Sequence, residues 1–108
     1  MRVTILLPAL LLCASLAAPV EAMQARIVFG DLKLDSPEGR ARLRQRVTAA
    51  ALNYCARYGA EMTPHASRAD PYYCSDMTRS WIVSEMWPEV RHAYFLARRE
   101  AGVKGRVP

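Results

Sequence analysis

The chain has 108 residues, with 15 Lys and Arg against 10 Asp and Glu, for a formal net charge of +5 at pH 7. That length corresponds to one domain. The basic balance either serves solubility alone or favours anionic neighbours such as lipid headgroups, acidic polymers or nucleic acid, and its cations are spread along the chain rather than gathered in one block.

Residues 1–22 read as a cleavable secretory signal. Met1 and Arg2 give a positive start, Val3 to Ala18 is an almost unbroken apolar run, and Val20-Glu21-Ala22 offers a small-residue site before Met23. Ala18 is a second cleavage position. The run is shorter than the ~20 residues that span a bilayer, and Pro8 interrupts it, which favours cleavage over retention as an anchor. Cys13 follows Leu10, Leu11 and Leu12, whereas lipidation calls for a small residue before the cysteine; it reads as part of the apolar run.

Removing the signal leaves Cys55 and Cys74, which predicts a periplasmic or secreted protein with one structural disulfide. A redox pair is the alternative, but such cysteines usually stand two residues apart at a helix start, and these are far apart. A domain this small has a core giving only a few kcal/mol of net stability. Closing a loop of this size reduces unfolded-state entropy by about 3 kcal/mol.

Residues 23–101 are expected to form one helical domain, and residues 102–108 a flexible basic tail with two glycines. Gln24 to Phe29 is β-prone, centred on Ile27, Val28 and Phe29. A lone strand cannot satisfy its own backbone, so it forms a hairpin, pairs with another chain as a homodimer, or lies irregularly on the helices. Gly30 and Asp31 suit a turn.

Ser36 is a candidate N-cap, with Pro37 at the first helical position and Glu38 complementing the dipole. The first helix is predicted from Pro37 to Tyr58, ending at Gly59, with an inward stripe of Leu43, Val47, Ala50, Ala51, Tyr54 and Tyr58. A loop holding Pro64 and His65 follows. Asp70-Pro71 repeats the cap-and-proline start, predicting a second helix from Pro71 to Trp87 with Tyr73, Cys74, Met77, Trp81 and Ile82 toward one face. Pro88 either kinks this helix or opens a third, Glu89 to Ala101, with Val90, Ala93, Tyr94, Ala97 and Ala101 on one side. The fold class is therefore mainly α: a short N-terminal β-strand, then two or three helices, the first two joined by the Cys55–Cys74 bridge.

The run Ile27-Val28-Phe29-Gly30-Asp31-Leu32-Lys33-Leu34-Asp35-Ser36-Pro37-Glu38-Gly39 resembles the UrcA family of small exported bacterial proteins. The resemblance continues through Arg40-Ala41-Arg42-Leu43, Arg46-Val47, Ala49-Ala50-Ala51 and Cys55, then Cys74, Val83 and Pro88, and covers roughly residues 25–90. Ala56 stands where that family often has glycine, and the extension past Pro88 is long. The resemblance implies export and a two-cysteine helical domain; it implies no biochemical activity.

Chemical motifs are sparse. Glu89 and His92 have a Glu-x-x-His spacing, but a carboxylate-bridged metal site needs two copies, and His65 sits in a distant loop, so neither metal nor cofactor is expected. Ser36, Ser67, Ser75, Ser80 and Ser84 have no triad context, there is no phosphate-binding glycine loop, and no enzyme is expected. The aromatics of the second half fill a small core, or an exposed Trp87 anchors a partner beside Arg91, Arg98 and Arg99. No nucleic-acid motif is present. The function read from sequence is a structural or protein-interaction role in the cell envelope; the alternative is a basic module binding anionic envelope components.

Overall fold

A computed structural model of the chain describes residues 27–107, in which three helices are joined by short connections. Helix α1 spans Pro37–Met62, α2 spans Tyr73–Ser84 and α3 spans Pro88–Glu100, with a single 3-10 turn at His65–Ser67 after α1. The expected signal lies outside the described residues, as do Gln24–Arg26 of the expected strand.

The rest of that strand, Ile27–Phe29, carries no strand, which corrects the sequence expectation. Its backbone groups are used locally instead: the Val28 carbonyl accepts from Arg46 Nη1 at 2.7 Å, and the Phe29 carbonyl accepts the Leu32 N–H at 2.9 Å. Ile27, Phe29, Leu32 and Leu34 lie partly buried against the helical core. This described part of the segment lies irregularly on the helices.

Ser36 caps α1 as its context dictates. Its Oγ accepts the Gly39 N–H at 3.0 Å and donates to the Lys33 carbonyl at 3.0 Å, and Pro37 fills the first helical position. Gly39 is required there, because a Cβ would collide with the Lys33 carbonyl oxygen. The helix passes through Gly59, where an end was predicted, and stops at Met62. Gly59 has no positive φ, so it does not reverse the chain, and its carbonyl accepts the Thr63 N–H.

Asp70-Pro71 forms a turn rather than the first residues of α2. The Asp70 carboxylate accepts the Tyr72 N–H at 3.0 Å and its carbonyl accepts the Tyr73 N–H at 3.3 Å, so the helix begins two residues later than expected. It also ends earlier, at Ser84, because Pro88 opens a separate helix with Trp87 extended before it.

The core joins Leu43, Val47 and Ala51 of α1, Ile82 and Val83 of α2, Met86, and Val90, Ala93 and Tyr94 of α3. Helix α1 is the spine, packing against both other helices, which touch each other little. The expected inward stripes of α1 and α3 hold, except that Ala101 is exposed. That of α2 holds only in part: Ile82 is buried and Cys74 is bridged to α1, but Met77 and Trp81 are exposed, and Ser75, Thr78, Arg79 and Val83 turn inward. Cys55 and Cys74 form the predicted bridge, S–S 2.07 Å and Cα–Cα 5.8 Å, which fastens α2 to α1. The Thr78 hydroxyl lies 3.5 Å from Cys55 Sγ and 3.9 Å from Cys74 Sγ, so the polar inward face of α2 is anchored at the bridge.

Residues 103–107 turn back onto the helices, although their composition suggests a free tail. Gly102 and Gly105 adopt φ of +67° and +68°, a conformation that favours glycine. Arg98 donates to the carbonyls of Gly105 at 2.7 Å and Val107 at 2.9 Å, while Arg106 pairs with Asp70 at 2.8 Å and Asp76 at 3.0 Å.

Candidate anion-binding surface

The residue before a proline is kept out of the helical region, so Trp87 stands extended ahead of α3 and is 72% exposed. From there, positions 87, 91, 95 and 99 follow at four-residue intervals, the spacing of one ridge along a helix. They place Trp87, Arg91, Phe95 and Arg99 in a row over about 18 Å. The opposite side of α3 is the core face of Val90, Ala93, Tyr94 and Ala97. Phe95 is half exposed and meets Tyr94 edge to face at 5.4 Å, which braces it at the surface.

The arginines of this region, like Arg42, Arg44, Arg57 and Arg68 elsewhere, have no carboxylate partner among the described residues, and what sets this region apart is the exposed Trp87 and Phe95 beside them. Arg91 donates from Nε to the Val83 carbonyl at 3.2 Å and from Nη2 to the carbonyls of Ser84 at 3.0 Å and Met86 at 2.9 Å. It thereby satisfies the open C-terminal end of α2. Arg98 is bound by the tail carbonyls and the Tyr94 hydroxyl, and Arg99 is exposed with no partner among the described residues. None of the three meets a carboxylate among the described residues. Arg40, Arg46, Arg79 and Arg106 do, pairing with Glu100, Asp31, Asp76, and both Asp70 and Asp76. Carbonyl oxygens solvate a guanidinium without cancelling its charge, so Arg91 keeps its charge beside the exposed Arg99.

Phe95 divides two open grooves. One runs between α2 and α3 past Ser80, Ser84 and Arg91; the other runs between α3 and the tail past His92, Arg99 and Val103. Arg79 lies on the wall of both. It is buried, donates to Asp76 at 2.6 Å and to the Tyr94 hydroxyl at 3.5 Å, and its Nε has no partner. Burial acts to lower the Arg79 pKa, and Tyr94 and Asp76 outweigh it and raise it. Burial likewise acts to raise the Asp76 carboxyl, and hydrogen bonds from Arg79 and Arg106 hold it below the usual range.

The four residues read from sequence as a partner surface are thus only partly brought together. Trp87 and Arg99 stand at the two ends of the row, and Arg91 lies between them, half buried. Arg98 is removed from that surface: it is 7% exposed, because its neighbours are the phenol of Tyr94 and the returning tail. Sequence reasoning missed Phe95, although its interval from Trp87 and Arg91 was a usable signal, and it missed Arg79, which no local pattern marks as buried. Glu89 and His92 are exposed and His65 lies in the 3-10 turn; among the described residues no group of three His, Cys, Asp or Glu gathers as a metal site.

Fold and surface together define a disulfide-stapled three-helix protein with a cationic and aromatic ridge. No family model matches the chain, and neither a curated protein nor a solved structure matches it. Among the described residues no helix is long and apolar enough to cross a membrane.

Proposed function

We propose that this chain is a non-enzymatic binding module, exported to the periplasm or beyond, that engages anionic envelope components through α3. One observation carries the reading: Trp87 and Phe95 stand exposed beside Arg91 and Arg99, which have no carboxylate partner among the described residues. The membership suggested by the UrcA-like pattern belongs to the same proposal, and so does export. The Cys55–Cys74 bridge is compatible with an oxidising compartment.

The competing reading is a structural or protein-interaction role. The outward Met77 and Trp81 favour it, since they form an apolar stripe continued by the contact of Trp81 with Tyr54. Salt separates the two. Retention on immobilised polyphosphate that falls steeply as salt rises supports the anion reading, because charge interactions at a surface are screened. No retention at low salt refutes it.

A further inference from the structure

The row on α3 alternates rings and cations, and this alternation selects among anionic partners. A soluble polyanion satisfies Arg91 and Arg99 but leaves Trp87, 72% exposed, and Phe95, 47% exposed, in water. A phospholipid surface takes both kinds of group: aromatic rings settle at headgroup depth, and guanidinium groups meet lipid phosphates. The neighbouring Glu100 does not neutralise Arg99, because Arg40 holds it through Nε at 2.9 Å and Nη2 at 2.6 Å. Glu89, in the first turn, is the one carboxylate on α3 left without a partner among the described residues. Arg91 is fixed by three carbonyls, so its charge is presented in a set position rather than on a free chain.

We propose that α3 docks on an anionic phospholipid surface, with Trp87 and Phe95 at headgroup depth and Arg91 and Arg99 against lipid phosphates. This rests on the reading of α3 as an anion-binding surface and adds the identity of the partner. In this docking α3 lies on the bilayer surface, and among the described residues no helix is long and apolar enough to cross it. Among the described residues Trp87, at 72% exposed, is the most exposed aromatic side chain.

The test uses the oxidised protein and vesicles of phosphatidylglycerol and phosphatidylcholine in equal parts, beside pure phosphatidylcholine vesicles and soluble polyphosphate. Expected are sedimentation with the anionic vesicles only and a blue shift of tryptophan emission. Trp81→Phe should keep that shift and Trp87→Phe should lose it, which assigns it to Trp87. Arg99→Gln, at an exposed and unpaired position, should weaken vesicle binding about fivefold, the value of one cation near an anionic surface. Binding to polyphosphate without binding to vesicles overturns lipid docking and leaves the anion reading standing. Equal binding to neutral vesicles, or a blue shift that survives Trp87→Phe, overturns the proposed docking face. Failure to bind either polyphosphate or anionic vesicles overturns both.

Discussion

Arg46 grips Asp31 with both ends of its guanidinium, Nη1 to Oδ1 and Nη2 to Oδ2, each at 2.7 Å. The same Nη1 also donates to the Val28 carbonyl at 2.7 Å, so one side chain of α1 fixes the segment that precedes it. This two-pronged geometry is the strong form of a carboxylate–arginine pair. It explains why Ile27–Phe29 settles on the helices without a sheet partner among the described residues.

The Asp31 pair predicts an acid dependence. Hydrogen bonds from Arg46 pull the Asp31 carboxyl from 3.8 down to about 2. A carboxyl depressed in the folded state stabilises it above the unfolded value, and that contribution disappears as pH falls through about 2. NMR titration of Asp31 should give a midpoint near 2, and Asp31→Asn should flatten the fall in melting temperature between pH 4 and pH 2. The pair is exposed, so added salt should weaken the effect.

The bridge should carry a large share of stability. Cys74→Ser should cost about 3 kcal/mol and lower Tm by roughly 10 °C or more in a domain of this size. Helix content should mostly persist, since the core of Leu43, Val47 and Tyr94 is independent of the sulfurs. Circular dichroism melts of the oxidised protein and the variant measure both quantities.

The two glycines of α1 should respond to alanine in opposite directions. Gly39→Ala drives a Cβ into the Lys33 carbonyl and should destabilise by about 3 kcal/mol. Gly59→Ala places a Cβ at 3.9 Å from Cys55 Cβ and Cys74 Sγ, an ordinary contact. It should stabilise the helix by about 0.5–1 kcal/mol. Chemical denaturation of the two variants checks the sign of each.

The returning tail should behave as an ordered segment. Heteronuclear NOE values for residues 103–107 should approach those of α3, and Arg98→Ala, which removes the bonds to Gly105 and Val107, should lower them. Low values in the unsubstituted protein would contradict the docking of the tail.

Local rules read α1 and α3 well. Ser36-Pro37 announces a capped start, and the inward stripes of both helices follow from four-residue spacing. The errors come from contacts distant in sequence. Gly59 looks like a stop but continues the helix beside the bridge. Asp70 looks like a cap but spends its carboxylate on the turn at Tyr72 and on Arg106. Helix α2 turns a polar face inward because Thr78 meets the sulfurs and Arg79 meets Tyr94, partners that no local pattern reveals. The burial of Arg98 follows from the tail, which composition alone suggests is free. For the candidate surface, Trp87, Arg91 and Arg99 were legible as an aromatic with cations near it in sequence, whereas the burial of Arg98 and the partners of each arginine required the fold.

The most direct measurement is chemical-shift mapping of the oxidised, isotope-labelled protein titrated with polyphosphate at low salt. The account predicts that the largest amide changes fall on α3, at Arg91, Phe95 and Arg99, and fade as salt is added. Saturable binding with changes confined to α1, or spread evenly over every exposed cation, would contradict it.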